Sequence, residues 1–304
     1  MKIEKARELD LCFGVRRAMK LLKEAANKYG EIETLGPIAH NQQLVEELTK
    51  VGVKPVNHLD QVQGKILAIS THGTSPALLS EIEARQIHII DATCPVVHKA
   101  QNVAKELAEA DFDVIVFGEA EHPEVKGLLG WAREKGVATL DAGQILNYKV
   151  VKESEKRRAS PHYPLLGRGR LGIISQTTQS KSAFIEFVRQ LIVASGLKAK
   201  EVRIVNTLCQ AVQKRQEAAL RLAHKSQLMI VIGGYNSANS RHLAETCSHI
   251  VETRLIEGTD ELDDSWLEGK HHIGITAGTS TPDETIEAII VRLESLKMAS
   301  VGRK

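Results

Sequence analysis

The sequence predicts an α/β protein of three pseudo-threefold-related lobes, each a small parallel sheet with flanking helices, arranged around a central cavity. Three observations predict it. The chain has 304 residues, more than one hydrophobic core usually serves, so two or three lobes are expected. Short apolar runs alternate with segments whose apolar residues recur at helical spacing, and that alternation specifies parallel strands joined by helical crossovers. Finally, three of the four cysteines share a register. Cys12, Cys94 and Cys209 are each followed three residues on by Val (Val15, Val97, Val212) and five residues on by a basic residue (Arg17, Lys99, Lys214).

The elements follow from that register. Cys12 opens a helical segment, after which Leu35 to Ala39 reads as a weak strand ending at His40. Ile66 to Ser70 is a second strand, ending at Thr71-His72-Gly73. Cys94 opens the next helix, with Val103, Ala104, Leu107 and Ala108 on one face, and the strand Val114 to Phe117 precedes His122. Leu171 to Ile174 then runs into Gln176-Thr177-Thr178. After Cys209 comes a third helix, the apolar strand Leu228 to Ile232 before Ser237, and His272 to Ile275 before Ala277-Gly278-Thr279-Ser280. His40, His122 and Ser237 each lie 28 residues after their cysteine. The lobes are expected at 1–95, 96–206 and 207–304, the last with a C-terminal helix. A basic stretch near 149–170 reads as a solvated loop inserted in the second lobe, with docking of an acidic electron carrier as its alternative use.

Composition narrows the function classes. Lys and Arg total 40 against 38 Asp and Glu, a formal net charge of +2, too balanced to predict a nucleic-acid partner. Met1 to Leu11 lacks the apolar core of a signal peptide, and no apolar run reaches membrane-spanning length, which predicts a cytoplasmic protein without a membrane partner. In a reducing compartment four cysteines are core residues, catalytic thiols or metal ligands rather than disulfides. Cys247 shares none of the repeat and reads as a packed thiol; Trp131 and Trp266 read as core or rim residues.

Parallel sheets gather ligands at the carboxyl ends of their strands, and the polar residues at those ends are chemical ones. His40, His72, His122, Glu124, Thr177, Thr178, Ser237, Asn239 and Ser280 would be costly to bury without a ligand. Three thiolates at helix starts suit a soft metal. A 4Fe-4S cluster held by three cysteines leaves one iron open to substrate, whereas zinc held by three cysteines needs a fourth ligand, for which His98 is the nearest candidate. Threefold architecture with inert buried cysteines is the plainer reading. The His, Thr, Ser and Asn donors, without a phosphate loop, suit a phosphorylated or diphosphate substrate, and Glu124 is the carboxylate placed to deliver protons. A cluster-dependent hydro-lyase, or a phosphoanion-binding protein with structural zinc, also accommodates these residues.

The motifs together resemble a known family. Cys12-Phe13-Gly14-Val15-Arg16-Arg17-Ala18, Gly36-Pro37-Ile38-Ala39-His40-Asn41, Thr71-His72-Gly73, Asp91-Ala92-Thr93-Cys94-Pro95, His122-Pro123-Glu124-Val125-Lys126-Gly127, Gln176-Thr177-Thr178, Asn206-Thr207-Leu208-Cys209, Asn236-Ser237-Ala238-Asn239-Ser240 and Thr276-Ala277-Gly278-Thr279-Ser280 resemble 4-hydroxy-3-methylbut-2-enyl diphosphate reductase of the methylerythritol phosphate isoprenoid pathway. The resemblance spans the chain, in order. It implies an iron-sulfur oxidoreductase that removes an allylic hydroxyl as water, using two electrons and two protons, to give isopentenyl and dimethylallyl diphosphates. It also implies that Cys12, Cys94 and Cys209 ligate the cluster and that Glu124 supplies protons, with Thr177 orienting the hydroxyl and His122 in the proton network. His40, His72, Ser237, Asn239 and Ser280 would hold the diphosphate, and reduced ferredoxin or flavodoxin would donate electrons. Two positions depart from the family pattern. Ala238 stands where many relatives have Ser, which predicts a weaker diphosphate contact, and Gln101 stands where His is frequent, with no role readable from sequence.

Overall fold

The computed structural model describes residues 1–133, 136–145, 169–195 and 199–301. Two compact units emerge, one of Met1–Glu31, Pro37–Pro55 and Gln210–Lys304, the other of Ile32–Gly36 and Val56–Cys209. Among the described residues no helix is long and apolar enough to cross a membrane.

Twelve strands, β1 (Lys2–Lys5), β2 (Ile32–Leu35), β3 (Val53–Val56), β4 (Ile66–Ile69), β5 (His88–Asp91), β6 (Phe112–Phe117), β7 (Gly136–Thr139), β8 (Arg170–Ser175), β9 (Glu201–Ile204), β10 (Leu228–Ile232), β11 (Thr253–Ile256) and β12 (His272–Ala277), are described. They form three four-stranded sheets ordered β3-β2-β4-β5, β7-β6-β8-β9 and β11-β10-β12-β1. The nine helices described are α1 (Phe13–Tyr29), α2 (Gln42–Lys50), α3 (Pro76–Ala84), α4 (Pro95–Glu109), α5 (Pro123–Trp131), α6 (Lys181–Ser195), α7 (Gln210–Ala223), α8 (Ala238–Ser248) and α9 (Asp283–Val301). The alternation of strand and helix expected from sequence is therefore present, three times over.

All three sheets repeat one order, in which the second strand of the group flanks the first, then come the third and fourth. In the last sheet the fourth strand is β1 from the start of the chain, paired in parallel with β12 through Lys2 to Lys5 and His272 to Ile275. Each fourth strand leads into a cysteine: β5 to Cys94, β9 to Cys209, and β1 to Cys12. This order places a topological switch point between the first and third strands, where open α/β sheets bind ligands.

Local chemistry explains the elements. Leu228–Ile232 is buried along its whole length, as an apolar strand covered on both faces must be. Leu228, Ile230 and Ile232 pack with Ile273, Ile275, Ile289 and Leu293, while Met229 and Val231 face Ala219, Leu222, Leu243 and Cys247. Each such side chain contributes about 1.5–3 kcal/mol of gross burial energy. The α1 helix buries Val15, Ala18, Met19, Leu22, Ala25 and Ala26, and α4 buries Val97, Ala100, Ala104, Leu107 and Ala108, both at helical spacing. Helix starts are capped by polar side chains, Asn41 accepting from the Leu44 N–H at 3.1 Å and Ser75 from the Leu78 N–H at 3.3 Å.

One expectation is corrected. The strand before His40 is Ile32–Leu35, not Leu35 to Ala39; Gly36, with φ of +72°, ends it, and Pro37 follows. The basic stretch from 149 to 168 lies outside the described residues, while Arg170 opens β8. Cys247 is fully buried, as a packed thiol should be.

Two glycines let helices press on the central strands. A Cβ at Gly172 would lie 2.8 Å from Leu107 Cδ1 on α4, and one at Gly274 would lie 2.9 Å from Leu222 Cγ on α7 and overlap the Met229 sulfur on the neighbouring strand. Gly172→Ala and Gly274→Ala are each expected to cost about 1–3 kcal/mol through overpacking, measured by denaturant unfolding. Unchanged midpoints in both would contradict this packing.

Candidate functional site

In the unit holding Cys94 and Cys209, the site begins with the two cysteines. Cys94 precedes Pro95 at the first position of α4, has φ −61° and ψ 133°, and does not cap the helix with its sulfur. Its N–H donates to the Thr71 carbonyl at 3.1 Å, and the Cys209 N–H donates to the Thr177 carbonyl at 2.8 Å. Cys209 is further seated by Thr207, whose hydroxyl donates to the Ser175 carbonyl at 2.6 Å and accepts from the Ser175 N–H at 2.9 Å. Cys94 and Cys209 are both half-buried.

Glu124 stands in the first turn of α5 and is 2% exposed. The Thr177 N–H donates to its Oε1 at 2.6 Å, and the Thr177 hydroxyl to its Oε2 at 2.9 Å. Burial raises the carboxyl pKa to about 7, partly opposed by these two hydrogen bonds. His122 caps α5, its Nδ1 accepting from the Glu124 N–H at 3.2 Å, which fixes the neutral ring with its proton on Nε2. The His72 and His122 rings meet edge to face, with centroids 5.3 Å apart. His72, His122, Glu124 and Thr177 are thus brought together, at the ends of β4, β6 and β8. The Thr178 hydroxyl is buried without a partner among the described residues.

Gln101 acquires a place. Its side-chain amide donates to the Thr74 carbonyl at 3.4 Å, beside the Trp131 indole N–H, which donates to the same oxygen at 2.9 Å. Gly73 has φ of +69°, and a Cβ there would overlap Gln101 Nε2, so Gly73 and Gln101 together shape the turn carrying His72. His98 pairs through Nε2 with Asp91 Oδ2 at 2.8 Å and is half-exposed.

The other unit holds Cys12, His40, Ser237, Asn239 and Ser280. Cys12 has φ −67° and ψ 158° before α1, and its N–H donates to the Thr279 carbonyl at 3.0 Å, repeating the Cys94 and Cys209 bonds. Ser237 caps α8, accepting from the Ser240 N–H at 3.3 Å. Asn239 is 3% exposed, yet neither its amide nitrogen nor its oxygen has a partner among the described residues. A Cβ at Gly234 would overlap the His40 carbonyl, so the chain after β10 lies against the His40 loop only because that residue is glycine. Ala238 is buried in the first turn of α8.

Two residues outside the predicted set tie segments together, one within each unit. Gln176, fully buried, accepts at Oε1 from the Glu119 N–H at 3.1 Å. Arg215, on α7, reaches the loop before Cys12. The signal for Arg215 lay in the repeat, since Ala18 and Ala100 hold the corresponding positions after Cys12 and Cys94.

Comparison with known proteins identifies the family. The family model described as LytB protein matches residues 3–294. A 4-hydroxy-3-methylbut-2-enyl diphosphate reductase of Dehalococcoides mccartyi is 42% identical over 296 residues, covering 97% of this chain and 99% of the relative. A solved structure of (E)-4-hydroxy-3-methyl-but-2-enyl diphosphate reductase, described as the terminal enzyme of the non-mevalonate pathway, matches with a TM-score of 0.65 and 34% identity, covering 97% of this chain and all of the other. The E-1-hydroxy-2-methyl-but-2-enyl-4-diphosphate reductase of Plasmodium falciparum shares the fold at a TM-score of 0.83 and 23% identity, over 95% of this chain and 86% of that one. The chain belongs to the LytB family of 4-hydroxy-3-methylbut-2-enyl diphosphate reductases.

Proposed function

We propose that this oxidoreductase removes the allylic hydroxyl of 4-hydroxy-3-methylbut-2-enyl diphosphate as water, consuming two electrons and two protons and giving isopentenyl and dimethylallyl diphosphates. The observation that carries the reading is the Thr177 bridge. One residue accepts the Cys209 N–H at its carbonyl and donates both its N–H and its hydroxyl to Glu124. A proton-delivering carboxyl and a thiol are thereby fixed by the same turn.

The donor set fits a 4Fe-4S cluster. Cys12, Cys94 and Cys209 are half-buried thiols outside the apolar cores, whereas Cys247 is buried and its thiol is pushed up to about 11 by burial, which leaves it protonated and inert. Cys12, Cys94 and Cys209 would hold the cluster, which when bound supplies the electrons and a Lewis-acidic iron.

The protein's own residues do the rest. Glu124, with its pKa near 7, is protonated in a useful fraction at neutral pH and delivers a proton from its carboxyl oxygen. The Thr177 hydroxyl, 2.9 Å from Oε2, orients the substrate hydroxyl against that acid. His122, protonated at Nε2, and His72 beside it extend the proton network. His40, His72, Thr178, Ser237, Asn239 and Ser280 hold the diphosphate, for which the unpartnered Asn239 amide is a ready donor. Reduced ferredoxin or flavodoxin in the cytoplasm would deliver electrons singly, since the motifs include no nucleotide fingerprint.

Cys12→Ser, Cys94→Ser and Cys209→Ser should each bleach the visible absorption of anaerobically purified protein, while Cys247→Ser leaves it intact. Equal bleaching in Cys247→Ser would overturn the ligand assignment.

Glu124→Gln keeps the shape and one oxygen to accept from the Thr177 N–H, with the Thr177 hydroxyl free to turn and accept from the new amide NH2, but it cannot donate an acidic proton, so turnover should fall by at least about 10²-fold with the absorption spectrum retained. In the parent protein kcat/KM should decline as pH rises through about 7; a flat profile to pH 9 would place the acid elsewhere. Stability carries the same signature. The folded carboxyl titrates above its unfolded value of 4.5, so its burial costs nothing below pH 4.5, costs progressively more as pH rises to about 7, and is constant above. Glu124→Gln should therefore be more stable than the parent at pH 8 by up to roughly 3 kcal/mol and equal to it at pH 4, measured by denaturant unfolding at both pH values.

A further inference from the structure

Arg215 lies six residues after Cys209, where the other two repeats have Ala18 and Ala100, both fully buried. It is the one large, charged side chain at this position of the repeat, and it is only 5% exposed. Its guanidinium pairs with no carboxylate among the described residues. Instead Nη1 donates to the carbonyls of Leu9 at 2.9 Å, Ala277 at 2.7 Å and Gly278 at 3.0 Å, and Nη2 donates to the Asp10 carbonyl. Burial draws its pKa below the ordinary arginine value, opposed by the charges of Cys12, Glu8 and Asp10, but a guanidinium stays protonated in proteins.

These four carbonyls belong to two segments. Leu9 and Asp10 lead into Cys12; Ala277 and Gly278 lead into Thr279 and Ser280. The same two segments are joined by the Cys12 N–H bond to the Thr279 carbonyl. A side chain that spends a buried charge on neutral carbonyls gains little stability for its desolvation, whereas a planar fork fixes the relative position of two strands of backbone at once.

We propose that Arg215 is a positioning residue for Cys12: its guanidinium locks the Leu9–Asp10 segment onto the Ala277–Gly278 segment and so sets where the Cys12 sulfur and Ser280 stand. The second and third cysteines need no such device, because only residues 92–93 separate β5 from Cys94 and 205–208 separate β9 from Cys209, whereas the longer connection 6–11 lies between β1 and Cys12. The role of the sulfur as a cluster ligand rests on the function proposed above; the lock itself does not.

The test compares amide hydrogen exchange at Cys12, Cys94 and Cys209 in the full-length, anaerobically purified protein and its Arg215→Gln variant. Exchange at Cys12 should rise by about tenfold or more while Cys94 and Cys209 keep their parent rates. A uniform rise at all three would mean that Arg215 serves only global stability, and no rise would mean that it holds nothing; either result overturns the proposal. If Arg215→Gln does not fold, Arg215→Lys, which keeps the charge but replaces the fork by one ammonium, reads the same ratio. In the same preparations, iron release to a chelator should be about tenfold faster in the variant, and release at the parent rate would overturn the positioning of the ligand. A parent protein that carries no iron would instead overturn the iron-sulfur reading, and the exchange ratio would still decide the lock.

Discussion

Three backbone hydrogen bonds underlie the proposed site: Cys12 to Thr279, Cys94 to Thr71 and Cys209 to Thr177. In each, the N–H of the residue just before a helix, a donor the helix itself does not use, is satisfied by the carbonyl that follows a central strand. The bond ties the fourth strand of a sheet to the end of its third, and so ties a thiol to a polar turn. The repeated strand order makes this possible, because it sets the third and fourth strands side by side three times.

On that frame the repeats diverge where chemistry requires. Each helix that follows a first strand starts at a polar turn, but only one of them, α5, carries a buried carboxylate in its first turn. Glu124 is satisfied entirely by Thr177, and the price is a carboxyl whose ionisation is suppressed to near neutral pH. Burial holds this carboxyl partly protonated near neutral pH, as the proposed proton donor requires, and two hydrogen bonds from one threonine keep it from being pushed further. Asn239 occupies the opposite situation, a buried amide for which the described residues supply no partner, as the proposed diphosphate contact requires.

Much of this was legible in the residues. The apolar runs at Leu228–Ile232 and His272–Ile275 mark strands because burial on both faces leaves no room for alternation, and the common distance from cysteine to His122 or Ser237 marks a helix start because crossover length is fixed by the packing of one helix on one sheet. The strand lies at Ile32–Leu35 and not further on because Gly36-Pro37 breaks an apolar stretch that continues to Ala39, and hydrophobicity alone does not register a positive φ. The pairing of β1 with β12 joins residues some 270 positions apart, which no local pattern encodes. The partners of Glu124 were equally hidden, for a sequence shows that Thr177 ends a strand but not that its N–H and hydroxyl converge on one carboxylate. Arg215 was visible as a broken repeat, yet its targets are carbonyl oxygens, which every residue possesses.

The reaction is a reduction rather than a rearrangement or a hydration, and the electron requirement of turnover tests this without intermediary. Anaerobically purified protein should convert 4-hydroxy-3-methylbut-2-enyl diphosphate to isopentenyl and dimethylallyl diphosphates only when a one-electron donor is supplied, with two electrons consumed for each product formed. Turnover of the allylic diphosphate with no reductant present would contradict it.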